Sequence, residues 1–283
     1  MPVAWRALLP SDVPAAEALS RLAGWNQTEA DWQGYLEFEP GGCLAVETDG
    51  RLIGTATTIR YGGQVGWIGM VLVHPDHRRL SLGTQLLGRS LEYLASRGTP
   101  SIKLDATPMG RKVYLPLGFR DEGEVTRYQG VVPALPGENA GTAPMAGFPS
   151  AALADLDAEA FGVRREQVLA SLRGRRPELC FVARAASGAA GLLIAREGRE
   201  AIQLGPWVAR DPALAESLLL AFFRAAEGRK VFLDVPASNP AGHEIIRRHG
   251  FAVQRGFTRM YLGDPGPPGR PEMVYGTSGA EKG

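Results

Sequence analysis

The chain has 283 residues, is 45% hydrophobic and 22% charged, and carries a formal net charge of +1. That length suits two ordinary domains better than one, and that composition excludes disorder as the dominant state. A near-neutral chain with no long basic run also lacks the electrostatic face of a nucleic-acid binder.

The start, MPVAWRALLPSD, has no charged segment followed by an apolar one. No apolar stretch reaches the length of a membrane span, so a cytoplasmic protein is expected. Cys43 and Cys180 sit in separate apolar runs without metal-ligand spacing and read as buried core thiols. His74 and His77 flank a loop proline with no further ligand to complete a site, so no metal is expected.

In chain order, Val3 to Leu8 reads as a strand, and Ser11 and Asp12 offer a cap for a helix through Ala23. Thr28 and Asp31 form a capping-box start for a second helix through Phe38. CLAVET and LIGTATTI read as strands joined by an Asp49-Gly50 turn. Another strand runs from Val65 to Val73. A helix follows from Leu82 to Ser96, with Leu86, Leu87, Leu91 and Leu94 at helical spacing, stopped by Gly98 and Pro100. SIKLDA is a strand, Gly110 to Leu115 a short helix, and a last pair of strands ends near Val131. The Pro-, Gly- and Ala-rich stretch from Val131 to Ser150 reads as a linker.

The second half repeats this plan. LDATP…LGFRDEGEVTRY is answered by LDVPA…HGFAVQRGFTRMY, so that Phe119 and Phe251, and Thr126-Arg127 and Thr258-Arg259, recur at one offset of 132 residues. Upstream, IGMVLVHPD is echoed by LGPWVARDP. The expected fold is α/β, an α+β arrangement on mixed sheets, duplicated. The expected divisions are 1–131, a linker at 132–150, 151–270, and a tail at 271–283.

Chemistry concentrates in IGMVLVHPDHRRLSLGTQLL, where a strand meets a loop with two arginines and then a helix. Free N–H groups and partial positive charge at a helix start hold phosphate oxygens. Arg78 and Arg79 add charge-assisted hydrogen bonds, and Gly83 admits close backbone approach. Neither a P-loop nor a dinucleotide fingerprint is present.

The spacing of Val73, Pro75, His77, Arg78, Ser81 and Gly83 resembles the signature V-x-P-x-Y/F-Q/R-x-x-G-x-G/A of the GNAT acyltransferase superfamily. His77 replaces an aromatic and Ser81 replaces a glycine; if Ser81 needs positive φ, affinity falls. A second match, LDATPMGRKVYLPLGF, resembles the family's Y-x-x-x-G-F ending at Tyr114, Gly118 and Phe119. The resemblance spans Val3 to Gly130, and the two-part layout resembles GNAT proteins with a degenerate second domain.

The resemblance implies an acetyl-CoA-dependent N-acetyltransferase, acting on a primary amine of a small molecule or peptide by direct attack in a ternary complex. It implies that Val71, Leu72 and Val73 meet the pantetheine arm, that Arg78, Arg79, Leu80, Ser81, Leu82, Gly83 and Thr84 hold the phosphates, and that Tyr114 protonates the leaving thiolate. Pro116 ends that helix early and bears on the tyrosine's aim. The strand before the loop contains no acid, so the general base stays open among Asp105, His74, Glu29, Asp31 and a water chain. Trp25, Trp32, Trp67 and Asp105 are the candidates for the acceptor pocket. The second half has Asp211 and Glu216 where phosphates would sit and is not expected to bind CoA. Neither nucleic acid nor membrane is an expected partner; a homodimer is compatible with the layout. The competing readings are a non-catalytic acyl-CoA sensor and an interaction scaffold.

Overall fold

The computed structural model describes residues 3–135, 142–186 and 188–283. Its first half contains β1 (Ala4–Ala7), α1 (Val13–Leu22), α2 (Glu29–Phe38), β2 (Leu44–Thr48), β3 (Arg51–Tyr61), β4 (Val65–Val73), α3 (Leu82–Ser96), β5 (Ser101–Ala106), α4 (Pro108–Tyr114) and β6 (Arg120–Val131). The second contains β7 (Thr142–Pro144), α5 (Ser150–Phe161), α6 (Glu166–Arg175), β8 (Phe181–Ala185), β9 (Gly188–Arg196), β10 (Ile202–Ala209), α7 (Pro212–Ala225), β11 (Lys230–Pro236), α8 (Pro240–Arg248), β12 (Ala252–Gly263) and β13 (Val274–Gly276). β4, α3 and β5 keep the bounds read from the sequence. The Thr28–Asp31 capping box is formed, with the Thr28 amide donating to Asp31 Oδ2 at 3.1 Å.

All strands join one 13-stranded sheet in the order β1-β2-β3-β4-β5-β12-β6-β11-β10-β9-β8-β7, with β13 against β10. The centre of this order is a strand exchange. β12 of the second half pairs with β5 of the first, and β6 of the first pairs with β11 of the second. The expected pair of strands before Val131 is therefore one 12-residue strand, whose antiparallel partner β12 comes from the other half.

The exchange explains why Asp105 and Asp234, and Arg127 and Arg259, recur at matching positions. Arg127 grips Asp234 at 2.6 and 2.7 Å, and Arg259 grips Asp105 at 2.8 and 2.9 Å. Each fork-on-carboxylate pair is bidentate, the first buried on both sides and the second with a buried aspartate and a mostly buried arginine, so removal of one partner strands a charge.

One apolar core covers a face of both halves, with Leu19, Trp32 and Tyr35 of α1 and α2 sharing it with Leu156 and Leu172 of α5 and α6. On the other face α3 and α7 bury separate cores. The linker expected at 132–150 lies partly outside the described residues, and its later part holds β7, paired with β8. Of residues 271–283, set apart as a tail, those from Met273 onward are built into the core: Lys282 is fully buried, and Glu281 nearly so.

Candidate active site

β4 and β5 run parallel and pair only at Val65–Trp67 with Ser101–Lys103. Beyond Trp67 they separate, because β5 continues along β12 while β4 stays with β3. A bulge in β4 sharpens the divergence: the β3 register shifts between Thr55 and Thr57, and Met70 has φ +50°. The gap opens into a cleft of about 1080 Å³, lined by Val71, Leu72, Val73, Arg78, Arg79, Ser81, Leu82, Gly83 and Thr84 along one wall. Tyr114, Asp105 and Trp25 also line it. Leu80 is exposed and does not line it.

At the outer end the loop before α3 bends through two left-handed residues, Arg79 at φ +65° and Ser81 at φ +58°. Ser81 thus does adopt positive φ, at a cost of roughly 1–2 kcal/mol relative to glycine. Alternating backbone of this kind makes a concave set of amides suited to anions. The Ser81 hydroxyl makes no capping bond to the helix. Arg78 Nε donates to the Val73 carbonyl at 3.3 Å, which ties the loop to the end of β4.

Tyr114 is half-buried, packed against Phe119 at 6.0 Å between ring centres. Burial pushes its hydroxyl up to about 12, so it stays protonated through the neutral range. Pro116 does end α4: Leu115–Leu117 forms a 3-10 turn. Tyr114 still faces the cleft.

Two expected acceptor-pocket residues lie elsewhere. Trp32 is a core residue whose Nε1 donates to Ser20 Oγ at 3.1 Å. Trp67 is also core, with Nε1 donating to the Ala280 carbonyl at 3.0 Å. Both rings sit where α1 and α2 seal the sheet, which is the commoner fate of tryptophan on an amphipathic element. Among the base candidates, Asp105 spends both oxygens on Arg259, and Asp31 is tied to Arg175, Arg196 and Lys282. His74 instead accepts from the Asp76 amide, and Glu29 is exposed. Cys43 and Cys180 are free and buried, and burial pushes their thiols up to about 12 and about 11.

The inner end of the cleft is built by residues the motifs did not single out: Gln27, Arg127, Arg255, Phe257 and Glu281. Glu281 arrives on the buried tail, and its main chain passes so close to Gly69 of β4 that a Cβ there would meet Glu281 O at 2.9 Å. Burial alone would raise its carboxyl, but Lys282 and Arg196, both bonded to Oε1, hold it below the ordinary glutamate value.

The second half has the same splay, with β10 and β11 pairing only at Ile202–Leu204 and Val231–Leu233. There the chain fills its own gap. β13 pairs with β10, and the Tyr275 ring packs tilted against Trp207 at 5.3 Å between ring centres. At the start of α7 the Asp211 carboxylate accepts from the Leu214 amide at 2.9 Å, so an anion already occupies the helix start.

A mixed sheet that splays beside a helix N-terminus is thus present twice among the described residues, open in the first half and filled in the second. The profile of the Acetyltransferase (GNAT) family matches residues 8–119, and that of an Acetyltransferase (GNAT) domain matches 153–276. The chain belongs to the GNAT acetyltransferase family, with two such domains in tandem. A candidate acetyltransferase from Pyrococcus horikoshii superposes with a TM-score of 0.85 at 24% identity, covering 99% of this chain and 96% of that one. A tandem GNAT protein of the clavulanic acid biosynthesis pathway superposes at 0.63 with 16% identity, covering 93% and 98%. A mycothiol acetyltransferase from Acidimicrobium ferrooxidans is 30% identical over 135 residues, or 42% of this chain. The match spans 43% of that relative's length. Among the described residues no helix is long and apolar enough to cross a membrane.

Proposed function

We propose that the first half transfers the acetyl group of acetyl-CoA to a primary amine of a small molecule or peptide, by direct attack in a ternary complex. The observation that carries this reading is the single open splay, which runs from the loop of left-handed Arg79 and Ser81 to Tyr114. In it, the amides of Leu82, Gly83 and Thr84, together with Arg78 and Arg79, hold pyrophosphate oxygens. The unpaired edge of β4 at Val71–Val73 offers backbone groups to the pantetheine amides. An N–H beside the Met70 bulge donates to the thioester oxygen as charge builds on it.

The amine enters from the inner end, between Trp25, Phe257 and Glu281. As its nitrogen bonds to the acetyl carbon and the carbon–sulfur bond breaks, the Tyr114 hydroxyl donates a hydrogen bond to the departing sulfur. An ammonium arriving beside Glu281 gives one proton to water before it attacks; the second leaves the nitrogen after attack and reaches the thiolate through water, so the amide and the CoA thiol are the products. Direct attack is favoured because neither buried cysteine lines the cleft as an acyl carrier. Assignment of the acceptor end to Trp25 and Glu281, rather than to Trp32 and Trp67, follows from the same lining.

The experiment is acetyl-CoA turnover against a panel of amines, with product and CoA quantified by mass spectrometry. Equal amounts of acetylated amine and CoA support the reading. Tight acetyl-CoA binding with no transfer to any amine would favour the sensor instead.

A further inference from the structure

The exchanged strands carry a row of charges across one face of the sheet. Asp234, Arg127 and Arg255 stand in register on β11, β6 and β12. Two arginines directly opposite each other repel unless each has a partner. Arg127 has Asp234. Arg255 has no carboxylate within ion-pair distance among the described residues; its Nε donates to the Gln254 side-chain oxygen at 2.9 Å. Burial, and then the repulsion of Arg127, push its pKa below the ordinary arginine value, against a weaker pull from Asp234 and Glu200.

The register of β12 is regular from Arg255 to Arg259, so Arg255, Phe257 and Arg259 share a face. Arg127 lies 5.1 Å over the Phe257 ring and Arg259 lies 4.8 Å over the Trp67 ring. Trp67 belongs to the core under α1 and α2. Arg255 is therefore on the acceptor side of the sheet, with α3 and its phosphate loop on the other. A second polar group there also lacks a partner: Gln27 Oε1 is buried, makes no hydrogen bond, and its residue lines the same cleft.

We infer that the inner end of the cleft is a subsite for an amine that also carries an anionic group, with Arg255 gripping the anion and Gln27 accepting an N–H. This rests on the acyl-transfer reading of the cleft. A guanidinium fork matches carboxylate and phosphate alike, bidentately. Such an anion would complete the row Asp234, Arg127, Arg255 by giving its last member the counter-charge it lacks.

The test uses the full chain and three amines of one carbon skeleton, bearing a carboxylate, a phosphate or a neutral amide. Transfer kcat/KM is measured for each, and so is the thermal shift each gives to the CoA-saturated protein. Wild type is expected to favour an anionic amine over the neutral one by about 10–100-fold, the worth of one charge-assisted contact. Whichever anion is preferred identifies the source. Arg255→Met should collapse that preference toward one, Arg255→Lys should restore part of it, and the acetyl-CoA Kd should not change in either. Equal preference in wild type, or an unchanged preference in Arg255→Met, overturns the subsite. Weakened acetyl-CoA binding in Arg255→Met overturns it too, by moving the residue to the cofactor. If none of the three amines is acetylated, the amine panel decides the transfer reading separately, and the thermal-shift preference decides the subsite.

Discussion

Replacing Tyr114 with phenylalanine keeps the ring against Phe119 and deletes one hydroxyl. That hydroxyl makes no hydrogen bond among the described residues and lines the cleft, so its loss should leave stability within about 0.5 kcal/mol of wild type. Acetyl-CoA is held by the loop and β4, so its affinity should also hold. The size of the kinetic loss follows from the proton. Tyr114 is pushed up to about 12 by burial, whereas an ordinary alkyl thiol ionises near about 8.5. Complete transfer to a free thiolate would then be uphill by roughly 5 kcal/mol, at 1.36 kcal/mol per pK unit. The hydroxyl therefore acts best by donating a hydrogen bond as charge develops on sulfur. That puts the loss at the lower end of the usual 10²–10⁴-fold worth of a positioned acid, about 10²-fold in kcat. Because the hydroxyl stays protonated, the pH–rate profile should have no basic limb from Tyr114 below about pH 11. Steady-state and pre-steady-state acetyl transfer on an accepted amine is the assay. Wild-type kcat in Tyr114→Phe, or a basic limb near pH 8 that the substitution removes, would rule out Tyr114 as a hydrogen-bond donor to the departing sulfur.

Asp105→Asn separates a structural carboxylate from a catalytic one. Urea unfolding should show a loss of about 3–5 kcal/mol, because the mostly buried Arg259 is left without its carboxylate, with kcat of the folded fraction retained. Lost turnover at full stability would make Asp105 the base. Asp31 sets an acid limit. Burial alone would raise its carboxyl, but Lys282, Arg196 and Arg175 hold it well below the usual range. Its stabilising contribution is complete above the ordinary carboxylate pKa near about 4 and is lost as pH falls toward the depressed folded value. The urea midpoint should drop between pH 5 and pH 3, at roughly these carboxylate-range values, and Asp31→Asn should flatten that slope. Because β13 fills the second splay, calorimetry should give one acetyl-CoA per chain. A stoichiometry of two would contradict the self-filled gap.

Much of this was legible because the signals were local. β4, α3 and β5 were bounded by their own punctuation, with Gly63 before, Gly98 and Pro100 between, and an unbroken apolar period inside α3. The phosphate loop showed because a helix start, two arginines and a small residue fall within a few positions. β6 was misread as two strands because Gly123 interrupts its pattern and its partner β12 lies in the other half. Glu281 was invisible for a related reason. The run TSGAEKG is polar and glycine-rich, which reads as a solvated tail. Its burial depends on Asp31, Arg196 and Trp67, which lie far away in sequence. Matched offsets of Arg127 and Arg259 were visible, but only the exchange of strands shows that each grips the other half's aspartate.

The most direct test of the account is the thermal shift given by acetyl-CoA to wild type, to the double variant Arg78→Ala/Arg79→Ala, and to Gly83→Trp. A ligand that binds only the folded state stabilises it by RT ln(1 + L/Kd), where L is its free concentration, and so raises the melting temperature by an amount set by L relative to Kd. Gly83 has open space beside it, the nearest atom to a Cβ being Val73 Cγ2 at 3.9 Å, so a bulky side chain there folds and blocks the phosphate site. Wild type should show a clear shift and both variants almost none, with the ligand-free melting temperatures close to wild type. An undiminished shift in both variants would place acetyl-CoA somewhere other than the loop from Arg78 to Thr84.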